Sequence, residues 1–169
     1  MFPLNMTHRK GEQPMPEKMM SDIIDTAIQR EQDAYFFYRD IIDLVEDSTT
    51  KDTLEWIANE EIKHRKFLVD YRNGKFGESA LRMTRVVSYK IAEHLDEPDI
   101  SKEMKSSDVF LAAAHREMKS HAFYSDLAKL HEGSEIGDIL LRMANEELKH
   151  KEKVEYLYAN TAFPQTSGG

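Results

Sequence analysis

Apolar residues recur along four stretches of the chain at helical spacing. In the first, Ile24, Ile28, Tyr35, Tyr38, Ile42 and Val45 follow one another at intervals of three, four and seven. Such spacing gathers them on one face of a helix and leaves the polar residues on the other. Ser48 and Thr49 interrupt the run and can cap the next helix. Its stripe is Leu54, Ile57, Leu68 and Tyr71, and it should stop near Asn73 and Gly74. A third stripe comprises Phe110, Ala113, Tyr124 and Leu127, ending at Gly133, where a glycine tolerates the positive φ of a helix stop. Ser134 then caps a fourth helix, with Ile136, Leu140, Met143, Val154 and Leu157 facing inward. Loops of a few residues inside each pair predict antiparallel hairpins. Lys75 to Lys105 must cross from one hairpin to the other, and ALRMTRVVSYKIAEHL within that segment reads as an extra helix before the breaker Pro98.

The second half of the pattern repeats the first. ANEEIKHRK at Ala58 to Lys66 returns as ANEELKHKE at Ala144 to Glu152, 86 residues later. With the same offset and no gaps, Ser21 to Asp70 lies over Ser107 to Tyr156, and more than a third of the positions are identical. Arg30 matches Arg116, Glu31 matches Glu117, Phe37 matches Phe123 and Tyr38 matches Tyr124. This marks the duplication of one structural unit. The expected fold is all-α: a ferritin-like four-helix bundle of two repeated helical hairpins, joined by a long crossover that holds an extra helix.

Charged residues stand inside the apolar stripes. Glu31 falls between Ile28 and Tyr35, and Glu117 between Ala113 and Tyr124. Glu61 and His64 continue Leu54 and Ile57 toward Leu68; Glu147 and His150 lie between Met143 and Val154. Residues three apart share a helix face, so each Glu-x-x-His pair can aim a carboxylate and an imidazole at one point. Four carboxylates gathered in a bundle interior would repel one another and lose hydration, at about several kcal/mol each, unless protonated or matched by positive charge. Two divalent cations would cancel four glutamates and leave two neutral histidines as further ligands. Oxygen and imidazole donors suit iron or manganese, with zinc a competitor. Ions roughly 3.5–4 Å apart can share bridging carboxylates and take a small oxidant between them. A single Glu-x-x-His is commonly a boundary glutamate beside a satisfied histidine. Two copies at one place in a repeat, each matched by an in-stripe glutamate, favour the metal site.

Composition narrows the remaining classes. At 169 residues and 40% hydrophobic the chain suits one domain, expected over residues 17–160, with loose termini at 1–16 and 161–169. It contains no cysteine, which excludes disulfides, thiolate metal sites and iron–sulfur clusters. A net charge of −8 argues against nucleic acid and anionic membrane surfaces as partners. No stretch approaches the run of about 18 apolar residues that a membrane helix needs, and the first twenty residues show no signal-peptide core. A cytoplasmic protein is expected.

A glutamate, Glu-x-x-His, a glutamate and a second Glu-x-x-His on four helices resemble the ferritin-like di-iron carboxylate superfamily, and within it the rubrerythrin group. REQDAYFFY and REMKSHAFY, each with a tyrosine seven residues after its glutamate, are similar to rubrerythrin helices. The resemblance covers about residues 18–158. It implies two iron ions per chain, with Glu31 and Glu117 as terminal ligands, Glu61 and Glu147 bridging, and His64 and His150 taking one ion each. Tyr38 and Tyr124 match tyrosines that hydrogen-bond ligand carboxylates and could assist proton transfer. The implied reaction is reduction of hydrogen peroxide, or dioxygen, in defence against oxidative stress. Ferrous iron oxidation, a metal-stabilised scaffold or sensor, and dimanganese catalase chemistry are the alternatives. Relatives commonly form a homodimer.

The chain departs from that group in two respects. Rubrerythrins carry a further glutamate three residues after the third-helix ligand, where this chain has Ser120; a symmetric six-residue site is therefore expected. They also carry a cysteine-ligated electron donor, so here the electrons must come from an external donor protein. Of the other histidines, His121 is expected to pack or to sit at the solvent edge, His115 to face away, and His8, His94 and His131 to lie at surface or end positions. Glu60 and Glu146 flank the ligand face, where they could support a histidine or simply stay solvated.

Overall fold

A computed structural model describes residues 16–75, 83 and 85–163. Among these residues there are four helices and no strand: α1 (Glu17–Ile42), α2 (Ser48–Arg72), α3 (Ser106–Leu130) and α4 (Glu135–Ala162). Helix α1 packs mainly on α2, and α3 on α4. A few residues separate the helices of each pair. Of the termini expected to be loose at 1–16 and 161–169, residues 1–15, His8 among them, and 164–169 lie outside the described residues, whereas Thr161 and Ala162 continue α4.

The stops and starts follow local chemistry. Helix α2 begins one residue earlier than its hydroxyl residues suggest: the cap is Asp47, whose carboxylate accepts from the Thr50 amide at 2.7 Å and from the Thr50 hydroxyl at 2.6 Å. A carboxylate at the cap also meets the positive end of the helix dipole. Helix α4 is capped by Ser134 as expected, its hydroxyl accepting from the Gly137 amide at 3.1 Å. Helix α3 stops at Leu130 with His131 as its cap, ahead of the expected Gly133, which with φ of 85° turns the chain toward α4. Gly137 serves another purpose, because a Cβ there would lie 2.1 Å from the His131 carbonyl oxygen.

The extra helix expected over residues 80–95 does not form at Met83 or over 85–95; residues 80–82 and 84 lie outside the described residues. Val86, Val87 and Ser88 are poor helix formers, and the segment finds other partners. The Ile91 and Ala92 amides both donate to the Glu155 carboxylate on α4 at 2.9 Å. His115 on α3 meets the Leu95 carbonyl at 2.8 Å. The crossover thus satisfies part of its backbone on α3 and α4 rather than on itself.

Two apolar clusters fill the bundle, one toward each end. One gathers Tyr38, Ile41, Val45, Leu54, Ile57, Val109, Phe110 and Val154; the other gathers Ile24, Ala27, Leu68, Tyr124, Ile136, Leu140 and Met143. The first contains the end of α1 and the start of α2, and the second the reverse, so these two helices run antiparallel; the same holds for α3 and α4. Burial of each large aliphatic side chain stabilises the bundle by about 1.5–3 kcal/mol. Between the clusters lies a polar layer. No helix among the described residues is long and apolar enough to cross a membrane.

Candidate metal centre

The polar layer consists of the six residues singled out by the repeat. Glu31 comes from α1, Glu61 and His64 from α2, Glu117 from α3, and Glu147 and His150 from α4; all are buried. Their helices present them because each occupies a core position in an otherwise apolar stripe. They form two groups whose ligand atoms lie within 4.8 Å of one another: Glu31, Glu61, His64 and Glu147, and Glu61, Glu117, Glu147 and His150. Glu61 and Glu147 belong to both.

The histidine rings face the carboxylates through Nδ1. His64 Nδ1 lies 3.3 Å from Glu31, 3.4 Å from Glu147 and 3.7 Å from Glu61. His150 Nδ1 lies 3.3 Å from Glu61 and 3.5 Å from Glu117. The two imidazoles stack, with centroids 5.3 Å apart and planes 10° from parallel. One oxygen on each of Glu31, Glu117 and Glu147, both oxygens of Glu61, and both Nδ1 atoms are buried without completing a hydrogen bond. Buried polar atoms are ordinarily satisfied. Seven such atoms converging on one region fit a coordination site, and their oxygen and imidazole donors suit a divalent transition metal.

Crowding shifts the titrations. Burial, reinforced by the Glu61 charge, pushes the Glu31 carboxyl up to about 7. Burial and the charges of Glu61, Glu31 and Glu117 hold the Glu147 carboxyl well above the usual range. Burial also opposes the charge on Glu61, but the nearby imidazoles of His150 and His64 outweigh it and lower that carboxyl. Burial would depress both imidazoles, yet the carboxylates, led by Glu147 for His64 and Glu117 for His150, raise them. Without metal the layer therefore holds protons that a cation would displace.

The two tyrosines cross between the repeats. The Tyr38 hydroxyl donates to Glu117, and the Tyr124 hydroxyl donates to Glu31. Burial, then the charge of the accepting carboxylate, raises both phenols well above their ordinary value, so both stay protonated as donors. Arg30 lies over the Phe123 ring and Arg116 over the Phe37 ring, at 4.0 and 4.8 Å. These are again repeat-related pairs.

Neighbouring residues separate into outer contacts and bystanders. Glu60 and Glu146 each pair with a lysine three residues on, Lys63 and Lys149, at 2.6 Å. Glu60 also comes within ligand distance of His64 and His150. His121 is half-buried, with Nδ1 2.8 Å from the Ala144 carbonyl, and belongs to neither group of four. His115 faces the crossover, and His94 is exposed. Ser120 is buried and leaves no second carboxylate on α3 beside Glu117.

Two features escaped the sequence pattern. Trp56 packs its indole edge-on against His150, with centroids 5.6 Å apart. Lys151 and Glu155 form a fully buried ion pair at 2.8 Å, and Lys151 reaches Glu93 on the crossover at 3.0 Å. Burial pushes the Glu93 carboxyl up, but the Lys151 ammonium more than reverses the shift. The i,i+4 spacing of Lys151 and Glu155 was legible; that both lie under the crossover was not.

Fold and site together define a four-helix bundle with buried Glu/His clusters that could hold metal. Compared with family models, with curated proteins and with solved structures, the chain matches none of them.

Proposed function

We propose that the chain is a rubrerythrin-like, ferritin-like di-iron oxidoreductase that reduces hydrogen peroxide, or dioxygen, with electrons from an external donor protein. The observation that carries this reading is the set of seven buried donor atoms, unsatisfied and mutually facing, on four glutamates and two histidines. Glu31 and His64 would hold one iron ion, Glu117 and His150 a second, and Glu61 and Glu147, members of both groups, would be shared. Four carboxylates balance two ferrous ions, and two electrons from such a pair match the two needed to break one O–O bond.

The chain's own residues supply the rest. Tyr38 and Tyr124 orient Glu117 and Glu31 through their hydroxyl protons, fixing the carboxylates against rotation. Reducing peroxide to two waters also consumes two protons. The two phenols lie beside the site as protonated groups, and burial raises the carboxyls of Glu31 and Glu147 so that they take up protons more readily than ordinary carboxylates. The apolar clusters on both sides exclude bulk water, which strengthens every charge interaction within the layer.

Anaerobic loading with ferrous iron, followed by measured additions of peroxide and of dioxygen, tests the proposal. Two irons per chain and rapid peroxide turnover with an added reductant are expected. Dioxygen-driven iron uptake well beyond that ratio would instead assign iron oxidation for storage. A loaded chain inert to both oxidants would be a metal-stabilised scaffold.

A further inference from the structure

We propose that Trp56 is the port through which electrons from an external donor reach the Glu/His layer; this rests on the oxidoreductase reading above. Trp56 is the chain's one tryptophan. It is 41% exposed on α2, although large aromatic side chains of a bundle are usually covered. Its ring and that of His150 meet at 79°, with centroids 5.6 Å apart. His150 turns Nδ1 toward Glu61 and Glu117, and its ring stacks on His64. Indole, imidazole and imidazole thus form one aromatic run from solvent to both ligand groups. Electron tunnelling falls steeply with distance and favours contacts between π systems over saturated side chains, so this run offers the donor a short route.

Lys153 sharpens the assignment. Its ammonium lies 4.6 Å from the centroid of the Trp56 ring. A cation over the ring opposes removal of an electron from it, so the indole bridges without itself being oxidised. The repeat shows that this device belongs to one side only, since Arg142 stands at the position matching Trp56 and Phe67 at that matching Lys153. The balance is simple. The donor gives up two electrons, one at a time; the O–O bond of peroxide accepts them with two protons to give two waters; Trp56 has no net gain or loss.

Fluorescence and half-reaction kinetics test the port separately from turnover. With selective indole excitation, all emission comes from Trp56, and Trp56→Phe supplies the blank. Ferrous loading should quench the emission strongly and zinc loading, which offers no redox partner, should not. Equal emission in the two loaded forms, whether both quenched or both bright, overturns the proposal. The oxidised iron-loaded protein is then reduced by methyl viologen radical. Trp56→Leu should slow this step by roughly an order of magnitude and Trp56→Phe by less, with helicity and iron content retained. The oxidation of pre-reduced protein by peroxide should be unchanged. Reduction of Trp56→Leu at the wild-type rate, or equal slowing of both half-reactions as a packing defect would give, also overturns the port. If pre-reduced wild type is inert to peroxide, the oxidoreductase reading fails, while the viologen arm still decides the role of Trp56.

Discussion

Replacing Lys151 by methionine should destabilise the protein by about 3 kcal/mol, the lower end of the range for breaking a buried ion pair. Lys151 is 1% exposed and Glu155 0%. Lys151→Met leaves the Glu155 carboxylate in the interior with the Ile91 and Ala92 amides at 2.9 Å as remaining partners. Those two donors hold the cost to the lower end. Glu93, the other partner of Lys151, has an exposed carboxylate that water can solvate. For a chain of this length the loss corresponds to about 6–12 °C in melting temperature. Adding Glu155→Gln should recover most of it, because the amide oxygen still accepts from both backbone N–H groups while the buried charge is gone. Thermal and urea unfolding of the wild type, the single and the double variant would measure this. A loss below about 1 kcal/mol for Lys151→Met, or a double variant no better than the single, would refute the view that the pair matters because it is buried.

Other outcomes follow from the same structure. Gly137→Ala should cost about 1–3 kcal/mol by driving a methyl group into the His131 carbonyl, read as a lower urea midpoint with an unchanged slope. Divalent metal added near neutral pH in weak buffer should release protons, because burial raises Glu31 to about 7 and holds Glu147 well above its usual range, and both must lose protons to bind; potentiometric titration would count them. In the metal-free protein, these two carboxyls have folded values above their unfolded ones. Their contribution to stability is therefore fully present below about 4.5 and lost as pH rises through about 7 and beyond. Thermal melts should accordingly show metal-free protein weakening from acid toward neutral pH, and metal-loaded protein strengthening. Tyr124→Phe should release the Glu31 carboxylate while leaving its charge in place, lowering metal affinity about 10–100-fold by competition against a chelator.

The sequence made the ligand layer legible because two independent signals coincided there: charged residues in apolar stripes, and a repeat that placed the same types at the same steps. Either alone is weak, since a boundary glutamate is common in amphipathic helices. Helix ends were legible where a single residue decides them, as with Ser134, and shifted elsewhere: Asp47 caps α2 ahead of its hydroxyl residues, and α3 stops at Leu130, before Gly133. The crossover was not legible. Its apolar residues suggested a helix, but the amides of Ile91 and Ala92 bond to a carboxylate more than sixty positions away, which local periodicity does not encode. Trp56 carried no signal in the sequence for the same reason: its contact with His150 joins α2 to α4.

The membership of the two ligand groups has a mechanical consequence. The α1–α2 pair supplies Glu31, Glu61 and His64 to one group but must borrow Glu147; the α3–α4 pair supplies Glu117, Glu147 and His150 to the other but must borrow Glu61. Neither half of the bundle can finish a nest of four by itself. Bound ions would clamp the halves together reversibly, a cross-link in a chain that has no cysteine to make one, and a chelator would loosen the whole bundle at its waist.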